Sequence, residues 1–257
     1  MTGSETLADR GSVETLETLW AQRRAWDARP LVRRLYTGWF DEIAHRLAQV
    51  SGATVELGAG CGAFKEYMAE AIATDVVPSP WSDQVVDAEA LPFADESLGN
   101  LVMVDVFHHV PDSASALREA ERTLTVGGRL VLLEPYCSPV SGLVYRYLHH
   151  EGADLEADLE VSQSSGDPFD ANNALPTLLF WRRGDLVRRW TPRLRIVERS
   201  RFAWLAYPLS GGFTKPQLLP SFLVPLALVL ERVLNPLMAP VLAFRCLVVL
   251  EKVRVYQ

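Results

Sequence analysis

The sequence predicts an α/β domain built on a mostly parallel sheet, with a helical cap on its N-terminal side and helical insertions toward its C-terminal side. Short apolar runs alternate with helix-periodic stretches, a glycine turn closes the first run, and 257 residues suffice for one large domain with elaborations. Hydrophobic residues make up 49% of the chain and charged residues 22%, values of folded globular proteins and not of disordered ones. A formal charge of -7 argues against nucleic-acid binding by bulk positive charge. Cys61, Cys137 and Cys246 are odd in number and far apart, so neither a disulfide framework nor a CxxC metal site can be written, and a reducing compartment fits. Residues 1–10 are polar and acidic without the basic-then-apolar order of a secretory signal, which leads us to expect a cytoplasmic location.

Taken in order, residues 1–12 lack periodicity and read as a mobile tail ahead of a single domain over 13–257. Within 13–50 the apolar residues Leu16, Leu19, Trp20, Leu31, Leu35, Trp39, Phe40, Ile43 and Leu47 recur at helical spacing, and Pro30 divides the stretch into two helices of a cap. Residues 53–57 form a first strand, 58–62 a glycine turn and 64–71 a helix. Further strands are expected at 72–77, 85–86, 98–106 and 129–134, with a helix over 113–124 stopped by Gly127 and Gly128. Residues 137–193 are irregular and read as an insertion over the sheet edge. Late strands follow at 194–206 and 244–255, separated by a leucine-rich helical insert over 216–243 that Pro220, Pro225, Pro236 and Pro240 interrupt.

The turn carries the first chemical signal. Glycine permits positive φ and lets backbone amides approach a ligand at a helix start. Gly58, Gly60 and Ala63 satisfy the dinucleotide pattern G-x-G-x-x-G/A, whereas Glu56, Gly58, Gly60 and Gly62 satisfy E-x-G-x-G-x-G, so the turn alone leaves both readings open. Asp75, at the end of the second strand, is placed to accept the ribose hydroxyls of an adenosine in either reading.

Glu56-Leu57-Gly58-Ala59-Gly60-Cys61-Gly62, the stretch Asp87-Ala88-Glu89-Ala90-Leu91-Pro92-Phe93, the segment His108-His109-Val110 and Gly127-Gly128-Arg129-Leu130 occur in that order. Over about residues 35–136 the chain thereby resembles class I S-adenosylmethionine-dependent methyltransferases of the small-molecule, type 11-like kind. The resemblance implies a Rossmann-like fold over a cofactor-binding core at 51–136, with S-adenosylmethionine as cofactor. It implies Gly58, Gly60 and Gly62 along the methionine half, Asp75 at the ribose, Asp87 and Ala88 at the adenine, and Asp105 among the cofactor-binding residues. Glu56 would steer the turn or meet the amino group through water. The chain departs from the family where Pro78 and Pro80 discourage a helix between the second and third strands, where Cys61 replaces a common Thr, and where Gly99-Asn100 replaces a frequent aspartate.

His108 and His109 follow the fourth strand at the carboxyl edge of the sheet and are the catalytic candidates, as a base toward an acceptor proton or as shapers of the cofactor loop. His149 and His150 beside Glu151 lack further ligands in sequence and read as surface residues, so no metal is expected. Glu134-Pro135-Tyr136 resembles the Pro-Tyr element of nucleic-acid amino methyltransferases but follows the wrong strand. Trp20, Trp26, Tyr36 and Trp39 suit either a lid or a core, and the arginines between Arg182 and Arg195 either a solvated face or an acidic-acceptor site. Leu219, Phe222, Leu226, Leu230, Val233 and Leu237 line one helical face, yet Leu218, Val224, Leu228 and Val229 line the other. Burial, a pocket wall or peripheral membrane contact through 216–237 would each explain this, whereas the apolar run 216–230 reads as too short to span a bilayer.

The expected function is methyl transfer to a small acceptor, apolar or lipid-like, without nucleic acid. An NAD-dependent oxidoreductase would need a hydride-handling set such as Ser, Tyr and Lys, which Lys65, Lys215 and Lys252 do not complete. A non-catalytic cofactor-binding regulator is the other alternative. Acceptor identity and oligomeric state do not follow from the sequence.

Overall fold

The structure, a computed structural model, describes residues 13–148, 151–161 and 171–254. The tail expected over 1–12, and His149 and His150, lie outside the described residues. Strands β1 (Ala53–Leu57), β2 (Ile72–Asp75), β3 (Gln84–Val85), β4 (Leu98–Val104), β5 (Leu124–Pro135), β6 (Leu194–Phe202) and β7 (Arg245–Lys252) make one sheet in the order β3-β2-β1-β4-β5-β7-β6. β7 alone among them runs antiparallel to both of its neighbours, β5 and β6. The strand order reverses between β1 and β4, where an open α/β sheet leaves a crevice at the carboxyl ends of its strands.

Period-two alternation in the central strands divides the core between two faces. Leu101 and Met103 of β4, Leu130 and Leu132 of β5, and Val248 and Leu250 of β7 point to one face; Val102, Val131, Leu133, Leu247 and Val249 point to the other. All of them are 1% exposed or less, which explains why these strands read as continuous apolar runs.

Helices α1 (Val13–Ala28) and α2 (Pro30–Ala44) are divided at Pro30, as the sequence predicts, with the proline at the start of α2 where its missing N–H costs nothing. α1 lines the crevice with Thr18, Leu19, Ala21 and Gln22, and α2 adds Tyr36 and Phe40 to its wall. α2 buries Leu31, Leu35, Phe40 and Ile43 on the second sheet face. Asn100 ties the end of this cap to the sheet, its side chain bonding both the amide (2.7 Å) and the carbonyl (3.3 Å) of Ala48. α3 (Ala63–Tyr67) is shorter than the predicted 64–71, ending where Met68 leaves helical geometry.

No helix separates β2 from β3. α4 (Ser113–Thr123) is capped by Asp112, whose carboxylate accepts the amides of Ala114 and Ser115 at 3.0 and 3.1 Å, and it runs straight into β5. Gly127, with φ +84°, therefore lies within β5 and is not the predicted helix stop.

The described residues of the segment 137–193 pack on the first face of the sheet and reach its edge strand β6, where Arg199 donates to the carbonyl of Phe180. After α5 (Pro139–Leu148), the short α6 (Leu175–Thr177), a π turn over Leu178–Arg182 and α7 (Gly184–Trp190) bury Leu179, Phe180, Leu186 and Val187 with Leu117 of α4 against the first face. β6 stops at Phe202 instead of 206, because Ala203 turns to φ +61° ahead of α8 (Ala206–Ser210).

α9 (Val224–Leu242) follows a single 3-10 turn at Ser221–Leu223. Pro225 falls in its first turn, and Pro236 and Pro240 do not end it. The resulting 22-residue stretch, Ser221–Leu242, is long and apolar enough to cross a membrane by length and composition, which corrects the shorter segment read from sequence.

Candidate active site

The turn after β1 places Gly58, Gly60 and Gly62 at φ +74°, +52° and +75°. The three glycines serve different ends. A Cβ on Gly58 would lie 2.3 Å from Val106 Cγ2, and one on Gly62 would lie 2.7 Å from Trp81 Cβ, so both are needed for close packing. Gly60 has open space, its nearest neighbour being Gln22 Oε1 of α1 at 3.9 Å. Gly58 and Gly60 line the cavity above the turn, whereas Gly62 is set back from it as the N-cap of α3.

That cavity, of about 1100 Å³, lies at the carboxyl ends of β1, β2 and β4 under α1. At one end Asp75, 8% exposed, accepts the amide of Gly60 with Oδ2 (2.8 Å) and that of Val77 with Oδ1 (3.0 Å). Burial pushes its carboxyl up, and those two amides oppose the shift. Glu56, 2% exposed, has no partner for Oε2; burial, with the charge of Asp75 adding to it, pushes its pKa up to about 8. Asp87 and Ala88 reach the same wall, Asp87 Oδ1 accepting the amide of Glu89 at 2.9 Å. A cationic amino group at this end would meet the Glu56 carboxylate, and hydroxyls would meet Asp75. The residues present therefore suit the cofactor that the sequence resemblance implies.

At the other end Asp105 adopts φ +59°, rare for a non-glycine residue. The hydroxyl of Tyr36 donates to its Oδ2 at 2.7 Å, and Arg245 pairs with its Oδ1. Arg245 is 2% exposed, leaves Nε without an acceptor, and stands over the rings of Trp39 and Tyr207 at 5.4 Å each. Asp105 thus reaches the cavity with its carboxylate engaged by protein.

Beside it, a 3-10 turn over Phe107–His109 presents the two histidines. His108 Nδ1 lies 2.6 Å from Oε2 of Glu134, whose Oε1 accepts the amides of Val106 (3.0 Å) and Phe107 (2.7 Å). Burial lowers the pKa of His108, but the charge and hydrogen bond of Glu134, with Glu151 adding, outweigh it and bring the value to about 9. His109 stacks on His108 with ring centroids 4.2 Å apart.

Residues 55–132 match the family described as "Methyltransferase domain". Over these residues the chain is similar to that family. The chain is 30% identical over 115 residues to "Uncharacterized methyltransferase YcgJ" of Bacillus subtilis (strain 168), a match covering 37% of this chain and 45% of that protein. It is 32% identical over 89 residues to "Methyltransferase GfsG" of Streptomyces halstedii, covering 34% and 32% respectively. The match thus spans less than half the length of these curated relatives. The whole fold is shared with geranyl diphosphate C-methyltransferase from Streptomyces coelicolor A3(2), solved with Mg2+, geranyl diphosphate and S-adenosyl-L-homocysteine (TM-score 0.52, 15% identity, 86% of this chain and 80% of that one). It is also shared with a chain of the complex between the Haloferax volcanii Trm112 methyltransferase activator and its methyltransferase (TM-score 0.52, 16% identity, 96% and 100%). The predicted Rossmann-like class is therefore the observed one.

The structure brings together Glu56, Gly58, Gly60, Asp75, Asp87, Ala88, Asp105, His108 and His109 on one cavity. Trp26 and Trp39 are core residues at 2% and 9% exposure, Tyr36 is a cavity wall, and Trp20 is exposed against Trp81, so the four aromatics do not make one lid. The arginines after residue 180 disperse: Arg189 pairs with Glu160, Arg193 with Glu96, and Arg183 with Asp185. Arg245 escaped the sequence reading, and Glu134 and Glu151 were read there only within other motifs, not beside His108. Glu134 had a usable signal, an acid at the carboxyl end of an apolar strand, whereas Arg245 and Glu151 come from distant segments that only the fold brings to the cavity.

Proposed function

We propose that the chain transfers a methyl group from S-adenosylmethionine to a small, apolar or lipid-like acceptor. The observation that carries the reading is the single cavity of about 1100 Å³, which joins the Glu56–Asp75–Asp87 end to the Asp105–His108–His109 end. Sites for one small molecule run to about 300–1,000 Å³, so this space suits two bound end to end. S-adenosylmethionine brings a methyl already activated by a sulfonium, and the chain's task is alignment and exclusion of water.

Asp75 would hold the ribose, Asp87 and Ala88 the adenine, Gly58 and Gly60 the methionine half, and Glu56 its amino group. His108, held in its charged form by Glu134, would hold the acceptor, and His109 would hold it or take its proton at a ring nitrogen. Gly62 contributes by positioning the turn.

The preference for an apolar acceptor rests on the cavity mouth. Val144 and Leu148 of α5 and Leu218 border the cavity, and α5 packs on α9, whose Phe222, Leu226, Val229, Val233 and Leu237 are 56–81% exposed. α9 buries Val224, Ala227 and Ala239 on the domain, and its Glu231 accepts the amides of Leu205 (2.5 Å) and Ala206 (3.0 Å). A helix anchored along one face and apolar on the other lies on a membrane surface instead of crossing it. An acceptor dissolved in the bilayer would then enter directly.

The test supplies S-adenosylmethionine labelled in its methyl group together with a total lipid extract. Label recovered in the organic phase, with S-adenosylhomocysteine formed in step, is the expected result. Tight cofactor binding without turnover on lipid or polar extracts would favour a non-catalytic regulator.

A further inference from the structure

We propose that His108, His109 and Glu151 form a binding site for one divalent transition-metal ion of zinc-like chemistry at the acceptor end of the cavity. The two histidines stand on the 3-10 turn after β4, and Glu151 approaches from the segment that follows α5. One donor atom from each lies within 4.8 Å of the other two. His108 Nε2 is 3.8 Å from Glu151 Oε2, and His109 Nε2 is 3.9 Å from Glu151 Oε1. Metal bonds of about 2.0–2.1 Å set neighbouring donors roughly 3–4 Å apart, so side-chain shifts under about 1 Å bring the three onto one ion.

A second, independent feature is the support behind His108. The fully buried carboxylate of Glu134 faces Nδ1 at 2.6 Å and is itself fixed by two backbone amides. When a metal displaces the Nε2 proton, the remaining ring proton stays on Nδ1 toward that carboxylate and the Nε2 lone pair faces Glu151. A carboxylate behind a histidine in this way orients metal-ligating imidazoles and raises their basicity. Two imidazoles and one carboxylate favour zinc and its neighbours over magnesium or calcium, which prefer oxygen alone.

All three side chains line the cavity, so the ion would keep coordination positions open toward its interior, as catalytic metal sites do. An acceptor presenting a hydroxyl, enolate or carboxylate oxygen would occupy them. That use of the ion rests on the methyl-transfer reading, whereas binding of the ion does not.

The test is calorimetric titration of the chelator-treated full chain with zinc chloride alone, and separately with S-adenosylmethionine alone. One zinc per chain is expected, with a rise in Tm on zinc addition. Loss of a supporting outer-shell group weakens metal sites by about 10–100-fold, so Glu151→Gln and His109→Ala should each weaken zinc by at least about 100-fold and remove the Tm rise, their metal-free Tm staying that of the parent. A chain that binds S-adenosylmethionine but no stoichiometric zinc overturns the site alone. Zinc binding retained by both variants overturns it as well. Zinc binding without cofactor binding would leave the site standing and remove the methyl-transfer reading instead.

Discussion

Asp75 Oδ2 accepts the amide of Gly60 at 2.8 Å, so the end of β2 holds the glycine turn that follows β1. The carboxylate positions the turn and, in the proposed methyl-transfer reading, would also hold the cofactor ribose. Asp75→Ala removes both. The loss of a charged acceptor costs about 1.5–3 kcal/mol, or roughly 10- to 150-fold in S-adenosylmethionine affinity. Titration calorimetry on the folded variant reads this, and unchanged affinity would move the ribose contact to a neighbour such as Asp87.

The glycines of the turn separate packing from binding. Gly58→Ala drives a Cβ into Val106 and should lower Tm markedly. Gly60→Ala meets open space and bears chiefly the cost of positive φ, about 1–2 kcal/mol, while placing a methyl where the cofactor backbone would lie. Its stability should fall less than that of Gly58→Ala and its cofactor affinity should fall clearly. Equal thermal melts for the two variants would contradict the division of roles.

Glu56 makes stability depend on pH. Its folded pKa of about 8 lies above the ordinary glutamate value of 4.5. Between those values the native chain holds one more proton than the unfolded chain, so stability falls as pH rises. The contribution is complete below about 4.5, declines through the window at no more than about 1.4 kcal/mol per pH unit, and is gone above about 8. Glu56→Gln should flatten this slope and raise stability at alkaline pH, in denaturant melts at several pH values. Parallel curves for parent and variant would show that Glu56 is charged when buried.

Most of the sheet was legible in the sequence because its buried strands are continuous apolar runs and its turn needs positive φ at fixed spacing. Boundaries failed where tertiary packing decided them. The helix after the turn ends at Tyr67 although its residues permit a longer one, and Gly127 bends a strand instead of stopping a helix. Asp75 was singled out by its offset to the turn and Asp87 and Ala88 through the family resemblance, and all three line the cavity. Arg245 was not, since its place opposite Asp105 depends on β7 lying antiparallel beside β5. The prolines of 216–243 misled in another way: Pro225 sits in a first helical turn, where sequence cannot distinguish it from a break.

The exposed face of α9 gives a further prediction. Phe222 and Leu226 are 81% and 56% exposed, and moving such side chains from water into a bilayer is worth about 1.5 kcal/mol or more each. The double variant Phe222→Ser, Leu226→Ser should co-sediment with phosphatidylcholine and phosphatidylglycerol vesicles at least about tenfold more weakly than the parent, without loss of Tm. A parent chain that stays in the supernatant would leave α9 with no membrane role and withdraw the main support for a lipid-like acceptor.

The most direct measurement of the central claim is calorimetric titration of the full chain with S-adenosylmethionine and, in parallel, with NAD. Saturable binding of S-adenosylmethionine at one site per chain, weakened by Asp75→Ala and absent for NAD, is the predicted result. Binding of NAD alone would contradict the account.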